Sequence, residues 1–331
     1  MKALVYQGER RLACREVPQP APADGEVIVA VESVGICGSD MHAFLGHDER
    51  RPPPLILGHE AAGVVKTGSL AGRRVTVNPL VACGQCPVCR SGRDNICPGR
   101  QILSMQPREG AFAQMIAVPP ANLFEIPDNI SFDVAALAEP LACGWHAVRL
   151  ARRAMSAEID RAGVLVIGGG AIGVGAALSL EAAGAPDITL SEPNPGRRAY
   201  LRDACGLAAI APEELGEDEQ FDLIVDAVGF AATRSQAIAH ARPGGVITHI
   251  GLGGSGGEAD FRRMTLQEIT FIGTYTYTKQ DFRETARAIC DGRMGPLDWV
   301  ERRPLGGGQS AFEDILAGRV EAPKIILKPN E

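Results

Sequence analysis

Four cysteines lie close together, in the spacing C-x2-C-x2-C-x7-C: Cys83, Cys86, Cys89 and Cys97. Thiolates at this spacing can close a tetrahedral shell around zinc and leave no position open for chemistry, so the motif predicts a structural zinc site. The spacing fits neither of the common ferredoxin patterns, which makes an iron–sulfur cluster the weaker interpretation. The odd total of nine cysteines also favours metal binding over a disulfide framework.

A second group of possible metal ligands is spread along the chain. Cys37 lies in the segment GICGSD, His59 and Glu60 lie in GHE, and Glu139 lies in AEP. A thiolate, an imidazole and a carboxylate suit a zinc site that keeps one position open for substrate or water. Each residue alone has an ordinary explanation, because a lone cysteine usually packs in a core and a lone glutamate is usually solvated. The group therefore predicts a site only if the fold brings its members together.

A glycine-rich segment, GVLVIGGGAIG, contains the pattern G-x-G-x-x-G at Gly168, Gly170 and Gly173. The pattern follows an apolar strand sequence and opens an alanine-rich helix, the context in which it indicates dinucleotide binding. Pyrophosphate would lie at the start of that helix, where Ala171 and Ile172 offer free N–H groups. A strand–helix turn without a ligand is the alternative interpretation.

The choice of dinucleotide depends on Glu192, at the end of the next apolar strand. A carboxylate there can bind the hydroxyls of the adenosine ribose and repels a 2′-phosphate, so it favours NAD over NADP. Arg197 and Arg198 argue the other way, because an arginine near that position can hold the phosphate. We expect the acid at the strand end to dominate, with Arg197 close to the cofactor.

The sequence has two regions with different secondary-structure patterns, and these patterns indicate which elements position the candidate residues. Up to about residue 130 the chain is rich in turns and short strands, such as 27–31. Apolar strands then alternate with helical segments, beginning with 164–167 and 171–183. Buried strands that alternate with helices predict a doubly wound parallel sheet, so the fold class is α/β. The chain ends in another apolar strand, 324–327.

These patterns predict two domains, one inserted into the other. Residues 1–141 form a β-rich catalytic zinc domain with the structural-zinc lobe at 83–97, residues 142–275 form the nucleotide-binding domain, and residues 276–331 return to the first domain. A chain of 331 residues is long enough for two cores.

The composition argues against several classes of protein. The net charge of −7 argues against a nucleic-acid surface and against attachment to an anionic membrane. No apolar run reaches the ~18 residues of a membrane span, and charges interrupt the N-terminal segment where a signal peptide is apolar. We therefore expect a cytoplasmic protein that acts on a small molecule.

The chain resembles the medium-chain zinc-dependent alcohol dehydrogenases over essentially its whole length. The similarity is carried by GICGSDMH (35–42), LGHE (57–60), the cysteine lobe (83–97), AEPLACGWHA (138–147) and VLVIGGGAIGVGAA (164–177). Glutamate at position 139 is similar to the branch that contains sorbitol, sugar-acid and threonine dehydrogenases, where simple alcohol dehydrogenases typically carry cysteine. The resemblance implies a GroES-like catalytic domain, a Rossmann domain, and a homodimer or homotetramer.

The resemblance also implies the catalytic metal site. Cys37, His59 and one glutamate bind a catalytic zinc, and the sequence leaves open whether Glu60 or Glu139 is the direct ligand. Zinc lowers the pKa of an alcohol hydroxyl, which prepares the carbon for hydride transfer to NAD. Two zinc ions per chain are therefore expected, one catalytic and one structural.

A proton path follows from the same resemblance. Ser39 and His42 stand where the family places its hydroxyl–ribose–histidine relay, and histidine suits this role because its pKa lies near neutral pH. Asp40 is expected to accept a hydrogen bond from His59 and to fix its tautomer. Cys143, four residues after Glu139, is interpreted as a packing residue.

The substrate expected from the resemblance is a polyol, a sugar acid or a related small polar secondary alcohol. Ala43 replaces a tyrosine of the polyol enzymes, and Thr276 replaces their substrate-binding arginine, whereas Tyr277 is retained. The segments CGSDMHAFLG and VACGQCPVCRSGRDNIC are more similar to galactonate- or idonate-type dehydrogenases. The alternatives are a threonine-like or simple alcohol substrate, and a zinc-free reductase on the same fold.

Overall fold

The computed structural model describes residues 1–331. The N-terminal part contains three helices, α1 (Gly38–Phe44), α2 (Pro87–Arg90) and α3 (Phe132–Ala136). Its ten strands are β1 (Lys2–Gly8), β2 (Arg11–Glu16), β3 (Val27–Gly35), β4 (Leu55–Ile56), β5 (Glu60–Val65), β6 (Arg74–Val77), β7 (Leu80–Val81), β8 (Gln101–Ile102), β9 (Met115–Val118) and β10 (Leu123–Glu125).

The middle of the chain alternates strands and helices. Its strands are β11 (Gly163–Ile167), β12 (Asp187–Ser191), β13 (Ala209–Ile210), β14 (Phe221–Asp226), β15 (Ala241–His249) and β16 (Thr270–Gly273). Its helices are α4 (Ala138–Ala154), α5 (Ala171–Ala182), α6 (Pro195–Cys205), α7 (Ala231–His240) and α8 (Phe261–Leu266). The C-terminal part adds α9 (Lys279–Cys290), β17 (Val300–Pro304), α10 (Gly308–Leu316) and β18 (Lys324–Lys328).

The largest sheet of the first domain has seven strands. Its order is β10-β6-β5-β3-β18-β17, with β9 paired to β3. The two C-terminal strands thus complete a sheet that the N-terminal strands begin, because β18 pairs antiparallel with β3. The predicted terminal strand is thus present in the structure.

The parallel sheet has six strands in the order β13-β12-β11-β14-β15-β16. In β11, Val164 and Val166 face one apolar core, whereas Leu165 and Ile167 face another. Burial on both faces explains why the strand sequence is continuously apolar rather than alternating. The chain moves outward from β11 to one side and then crosses to β14 on the other, so a crevice opens at the carboxyl ends of these two strands. The predicted α/β class is confirmed.

Helix α4 connects the two domains. An added Cβ on its Gly144 would lie 2.4 Å from backbone atoms of Gly175 in α5, so the two helix backbones are in direct contact. Asp281 of α9 holds the opposite side of α4 through His146 and Arg149, each at 2.8 Å from Asp281 Oδ2. The predicted boundary between residues 141 and 142 falls inside α4, and the domain limits stay predictions. No helix has both the length and the apolar character needed to cross a membrane.

Candidate active site

Cys37 is presented by the turn between β3 and α1. It is the N-cap residue of α1 with extended backbone (φ −98°, ψ 154°), and its N–H donates to Oδ2 of Asp40 at 3.0 Å. Asp40 is fully buried and also accepts from the N–H of Gly58, at 3.2 Å. One carboxylate therefore fixes both the segment before Cys37's helix and the segment before His59.

The antiparallel pairing of β3 and β5 brings the second and third ligand candidates to Cys37. Gly35 pairs with Glu60 across the two strands. An added Cβ on Gly35 would lie 1.9 Å from Oε2 of Glu60, so only glycine leaves room for this carboxylate. The ligand atoms of Cys37, His59 and Glu60 all lie within 4.8 Å of one another. The structure thus assembles three of the four predicted ligands into one compact set.

The charge of Glu60 is balanced by a lysine that the sequence patterns did not identify. Lys324, at the start of β18, is buried and donates from Nζ to Glu60 Oε1 at 2.6 Å and to the carbonyl of Ile36 at 2.8 Å. Burial opposes the charge on Lys324, yet Glu60 and Cys37 raise its pKa. The other oxygen of Glu60, Oε2, is buried without any hydrogen-bond partner. A buried carboxylate oxygen left free beside a thiol and an imidazole fits a metal ligand.

Glu139, the fourth candidate, is buried at the first turn of α4 and lies outside the compact set. Its Oε1 accepts a hydrogen bond from the hydroxyl of Tyr277 at 2.7 Å. Burial, with a smaller contribution from Glu60, raises the pKa of Glu139 to about 7. Its thiol neighbour Cys143 is buried one turn later, and burial raises the pKa of that thiol well above its usual value.

His59 has two polar neighbours on its Nδ1 side. Asp40 Oδ1 and Ser104 Oγ each lie 3.5 Å from this nitrogen. Burial alone would raise the pKa of Asp40, but His59, Arg51 and the N–H of Cys37 lower it. Asp40 is therefore held as a carboxylate next to the imidazole, as the sequence predicts. Ser104 is an addition that no sequence pattern indicated.

A cavity of about 400 Å³ joins this cluster to the crevice of the parallel sheet. From the first domain it is lined by Cys37, His59, Glu139 and the two predicted relay residues, Ser39 and His42. From the second domain it is lined by Ile172, Val228 and Gly251, among others. The cavity therefore extends from three of the candidate ligands, Cys37, His59 and Glu139, to Ile172 at the start of α5.

The glycine-rich turn has the geometry that its pattern predicts. Gly168 has φ +101°, a conformation that favours glycine, and an added Cβ on Gly173 would lie 1.8 Å from the carbonyl oxygen of Gly168. Gly170 is the N-cap of α5 and has open space where a Cβ would stand. Ala171 and Ile172 are the first residues of the helix. The turn is thus a cradle for an anionic group at a helix N-terminus.

Glu192 directly follows β12 and points back toward this turn. Its carboxylate is buried and accepts from the N–H groups of Gly169 and Asn194, both at 2.8 Å. Arg197 turns away, because its Nη2 donates to the carbonyl of Val320 at 2.9 Å. Arg198 donates to the carbonyl of Glu192 at 2.8 Å. Of the predicted cofactor residues, Glu192 faces the turn. The guanidinium of Arg197 instead hydrogen-bonds to the carbonyl of Val320.

The four clustered cysteines form the second compact set, with all ligand atoms within 4.8 Å. Their Sγ atoms are 3.5 Å apart for Cys83 and Cys97, and 3.9 Å apart for Cys83 and Cys89. A tetrahedral Zn–S₄ site with bonds of ~2.3 Å requires S···S distances of about 3.8 Å. The thiols therefore fit zinc. None of the nine cysteines is in a disulfide.

The cysteine lobe contacts the segment that lines the active-site cavity. Asn95 donates to the carbonyl of Tyr275 at 2.7 Å, and Asp94 accepts from the N–H of Lys279 at 3.1 Å. The guanidinium of Arg100 stacks on the ring of Tyr275, 4.9 Å from its centroid. These contacts were not predicted, because nothing in the spacing of the cysteines indicates what the lobe touches.

Thr276, within that segment, has φ +46° and a buried hydroxyl without a partner. It lines the cavity, as does Tyr275. Ala43 lies on the buried side of α1 and does not line the cavity. Of the two positions that depart from the polyol pattern, only Thr276 therefore lines the cavity.

The fold and the two metal-binding sets define the class: a zinc-binding, nicotinamide-dependent dehydrogenase. Two family models match, the alcohol dehydrogenase GroES-like domain over residues 23–128 and the zinc-binding dehydrogenase domain over residues 171–291. L-galactonate-5-dehydrogenase of Escherichia coli is 33% identical over 96% of this chain and 96% of its own length. The chain therefore belongs to the zinc-dependent alcohol dehydrogenase family, in its sugar-acid and polyol branch.

Two further relatives bear on the same assignment. Sorbitol dehydrogenase of Bacillus subtilis is 30% identical, with 100% of this chain and 98% of that protein covered. The crystal structure of a zinc-binding dehydrogenase from Sinorhizobium meliloti 1021, bound to NADP, superposes with a TM-score of 0.88 at 28% identity and covers 99% of each chain. The similarity thus extends over both domains.

Proposed function

We propose that this enzyme oxidises a secondary hydroxyl of a sugar acid or polyol and transfers the hydride to NAD. The observation that carries the proposal is the single cavity that joins Cys37, His59 and Glu139 to Ile172, at the start of the helix that follows the dinucleotide turn. A reductase without zinc would not need the compact set of Cys37, His59 and Glu60. The sugar-acid preference rests on relatives that include L-galactonate-5-dehydrogenase and, in Vitis vinifera, L-idonate 5-dehydrogenase.

Zinc fits both compact sets, and the proposal includes one ion in each. Cys37, His59 and Glu60 would hold the catalytic ion, because Glu60 has a free buried oxygen whereas Glu139 is hydrogen-bonded to Tyr277 and stands outside the set. When bound, the ion supplies Lewis-acid chemistry that lowers the pKa of the substrate hydroxyl. Cys83, Cys86, Cys89 and Cys97 would hold the structural ion.

The chain's own residues hold the substrate and remove its proton. Ser39 lies beside the cavity, with its hydroxyl 3.4 Å from Nη2 of Arg51, and His42 lines the same cavity. A hydroxyl followed by an imidazole can pass a proton toward solvent, so Ser39 would take up the substrate proton and His42 would release it. Ile172 and Val228 supply apolar walls that keep water away from the carbon that gives up hydride.

Assays with a panel of candidate substrates test the proposed reaction. NADH formation is measured with L-galactonate, L-idonate, polyols, threonine and simple alcohols, with and without a chelator. We expect chelator-sensitive turnover of an aldonate or a polyol. Turnover of threonine or of simple alcohols alone would replace the substrate class, and turnover that survives complete zinc removal would contradict the zinc proposal.

The preference for NAD rests on Glu192 and has its own test. Its buried carboxylate would repel a 2′-phosphate, and the guanidinium of Arg197 is hydrogen-bonded to the carbonyl of Val320 instead. We expect Glu192→Ala to lower the ratio of NAD to NADP efficiency by about tenfold or more. Because a related structure binds NADP, an unchanged ratio would show that Glu192 does not select the cofactor.

The oligomeric state and the cellular location of the enzyme are also part of the proposal. The expected homodimer or homotetramer is supported by the family resemblance alone, and light scattering on the purified enzyme measures it. A cytoplasmic location is expected, and cell fractionation tests it.

A further inference from the structure

The active-site cavity carries two adjacent arginines at its side, Arg50 and Arg51. They lie in the segment between α1 and β4, which forms part of the cavity wall. The catalytic reaction described above uses neither of them. Their environments differ sharply, and this difference separates a structural role from a binding role.

Arg51 is buried, and its guanidinium is hydrogen-bonded within the protein. Its side chain is 2% exposed. Its Nε donates to the carbonyl of Ser104 at 2.9 Å, and its Nη1 donates to the carbonyl of Ser39 at 3.0 Å and to Asp48 at 2.8 Å. Arg51 therefore braces the segments that carry Ser39 and Ser104, and its guanidinium has little left to offer a ligand.

Arg50 is open on one side. Its side chain is 59% exposed, although the residue lines the cavity. Nε and Nη2 donate to the two oxygens of Asp48 at 2.8 and 3.0 Å, whereas Nη1 donates to no group of the chain. The ion pair with Asp48 holds the plane of the guanidinium in place, so less side-chain freedom is lost when a ligand binds.

The charges around Arg50 favour an anion. Asp48 is the single carboxylate paired with both Arg50 and Arg51, so the three side chains together carry one positive charge in excess. The other charged groups next to the cavity, Glu60, Glu139 and Lys324, belong to the metal end. The arginine side of the cavity therefore attracts a negative group, and the metal end accepts the hydroxyl.

We infer that Arg50 binds the carboxylate of an aldonate substrate and thereby selects sugar acids over polyols. The inference rests on the proposed function, in which the oxidised carbon lies at the set of Cys37, His59 and Glu60. An aldonate oxidised at C5 carries its carboxylate at the far end of the molecule from the metal, where a second anchor is required. Guanidinium binds carboxylate through charge-assisted hydrogen bonds. Arg50 takes over the anchoring role that the cavity lacks at Thr276.

The test compares each acid with its own reduced form. kcat/KM is measured with NAD for L-idonate and L-iditol, and for L-galactonate and galactitol, in the zinc-loaded wild type and in Arg50→Gln and Arg50→Lys. We expect Arg50→Gln to lower the acid-to-polyol ratio about 10- to 100-fold. Arg50→Lys keeps the charge but loses the planar fork, so its ratio should lie between the two. Arg262→Gln, an exposed arginine of α8 in the other domain, controls for the lost charge and should leave the ratio unchanged.

Binding measured separately from turnover distinguishes this inference from the proposed function. Calorimetric titration of L-idonate and L-galactonate into the zinc-loaded enzyme with NADH gives the affinity of each variant. Aldonate binding that depends on Arg50 but yields no NADH in the assay would support the Arg50 site and contradict the proposed reaction.

The opposite outcomes overturn the inference. Aldonate turnover with an acid-to-polyol ratio that stays within twofold in Arg50→Gln would leave the proposed reaction standing and remove the role of Arg50. Turnover of polyols alone, without aldonate binding, would likewise leave the proposed reaction standing and remove the role of Arg50. A wild type that neither binds nor oxidises any of the four compounds would contradict both.

Discussion

The two metal-binding sets of this chain are built in opposite ways. The cysteine lobe takes all four ligands from one short segment, and Cys83 within it is exposed. The catalytic set, Cys37, His59 and Glu60, takes its ligands from the turn after β3 and from the start of β5, and its charge is balanced by Lys324 from the C-terminal part of the chain. The first set is a local unit on the surface, and the second is a junction of distant segments in the interior.

This difference determines what each set depends on. Cys83 is exposed and Cys86 and Cys89 are half-buried, so three of the four thiols of the lobe are open to solvent, whereas Cys97 is buried. Glu60 and Lys324 are both buried, and a charge left alone in such a place is strongly destabilising. We therefore expect the catalytic set to be sensitive to distant residues, and the lobe to be sensitive mainly to its own thiols.

The largest effect is expected for Cys37→Ser. This variant should lose measurable turnover, because one of the three ligand candidates of the open site is gone. NADH binding should remain nearly intact, since the dinucleotide turn belongs to the other domain. Turnover and NADH fluorescence titration measure the two effects, with Cys14→Ser on the exposed edge of β2 as the control. An active Cys37→Ser enzyme would rule out this residue as a catalytic ligand.

The next largest effect is expected for Lys324→Met. Without the lysine, Glu60 is a buried carboxylate with no partner on either oxygen, which should lower the free energy of unfolding by about 3–5 kcal/mol in metal-free protein. Added zinc should recover part of this loss, because a cation would again face Glu60.

Chemical denaturation with and without zinc measures this change, and Lys66→Met at an exposed position is the control. A loss of stability no greater than that of Lys66→Met would show that the catalytic set does not depend on the distant charge. The contrast between the two metal-binding sets would then disappear.

A smaller effect on catalysis is expected for Cys97→Ser in the lobe. This variant should lose one zinc per chain and lower kcat about tenfold rather than abolish it, because the lobe holds segments that line the cavity, including 275–279, but supplies none of the candidate catalytic ligands. Metal analysis together with steady-state kinetics measures both changes. Complete loss of activity in a folded Cys97→Ser protein would mean that the lobe is not the independent unit described above.

The smallest effect is expected for Asn95→Ala. It removes a single hydrogen bond, from the lobe to the carbonyl of Tyr275, worth about 1 kcal/mol. We expect KM for the substrate to rise about two- to fivefold while the zinc content stays at the wild-type value. Unchanged kinetics would indicate that the stacking of Arg100 on Tyr275 is sufficient to hold the segment.

The local features of the chain could be predicted from its sequence. The spacing of the cysteines, the glycine-rich turn and the apolar strands of the parallel sheet each depend on neighbours in the chain, and all three agree with the structure. Asp40 Oδ1 lies 3.5 Å from Nδ1 of His59, but its hydrogen bonds come from the N–H groups of Cys37 and Gly58, so the predicted bond to His59 stays a prediction.

The features that depend on distant pairing could not be predicted. In the sequence, Lys324 is only the first residue of a predicted apolar strand. In the structure, the pairing of β18 with β3 places Lys324 beside Glu60. The direction of the Arg197 guanidinium depends on a carbonyl of residue 320, and the openness of Arg50 depends on how Asp48 divides its oxygens between two arginines. Side-chain competition of this kind leaves no periodic signal in a single sequence.

The contact between Gly144 and Gly175 has a consequence for which sequences this enzyme can tolerate. Glu139 lies in the first turn of α4 beside the candidate catalytic ligands, and α5 begins at the dinucleotide turn, so the backbone contact of the two helices sets the spacing between the two halves of the reaction centre. Hydride transfer requires reacting atoms to approach to about 3–3.5 Å. In a library of random variants selected only for activity, exposed positions such as Arg152 and Arg153 of α4 and Glu181 of α5 should therefore diversify freely while both glycines persist.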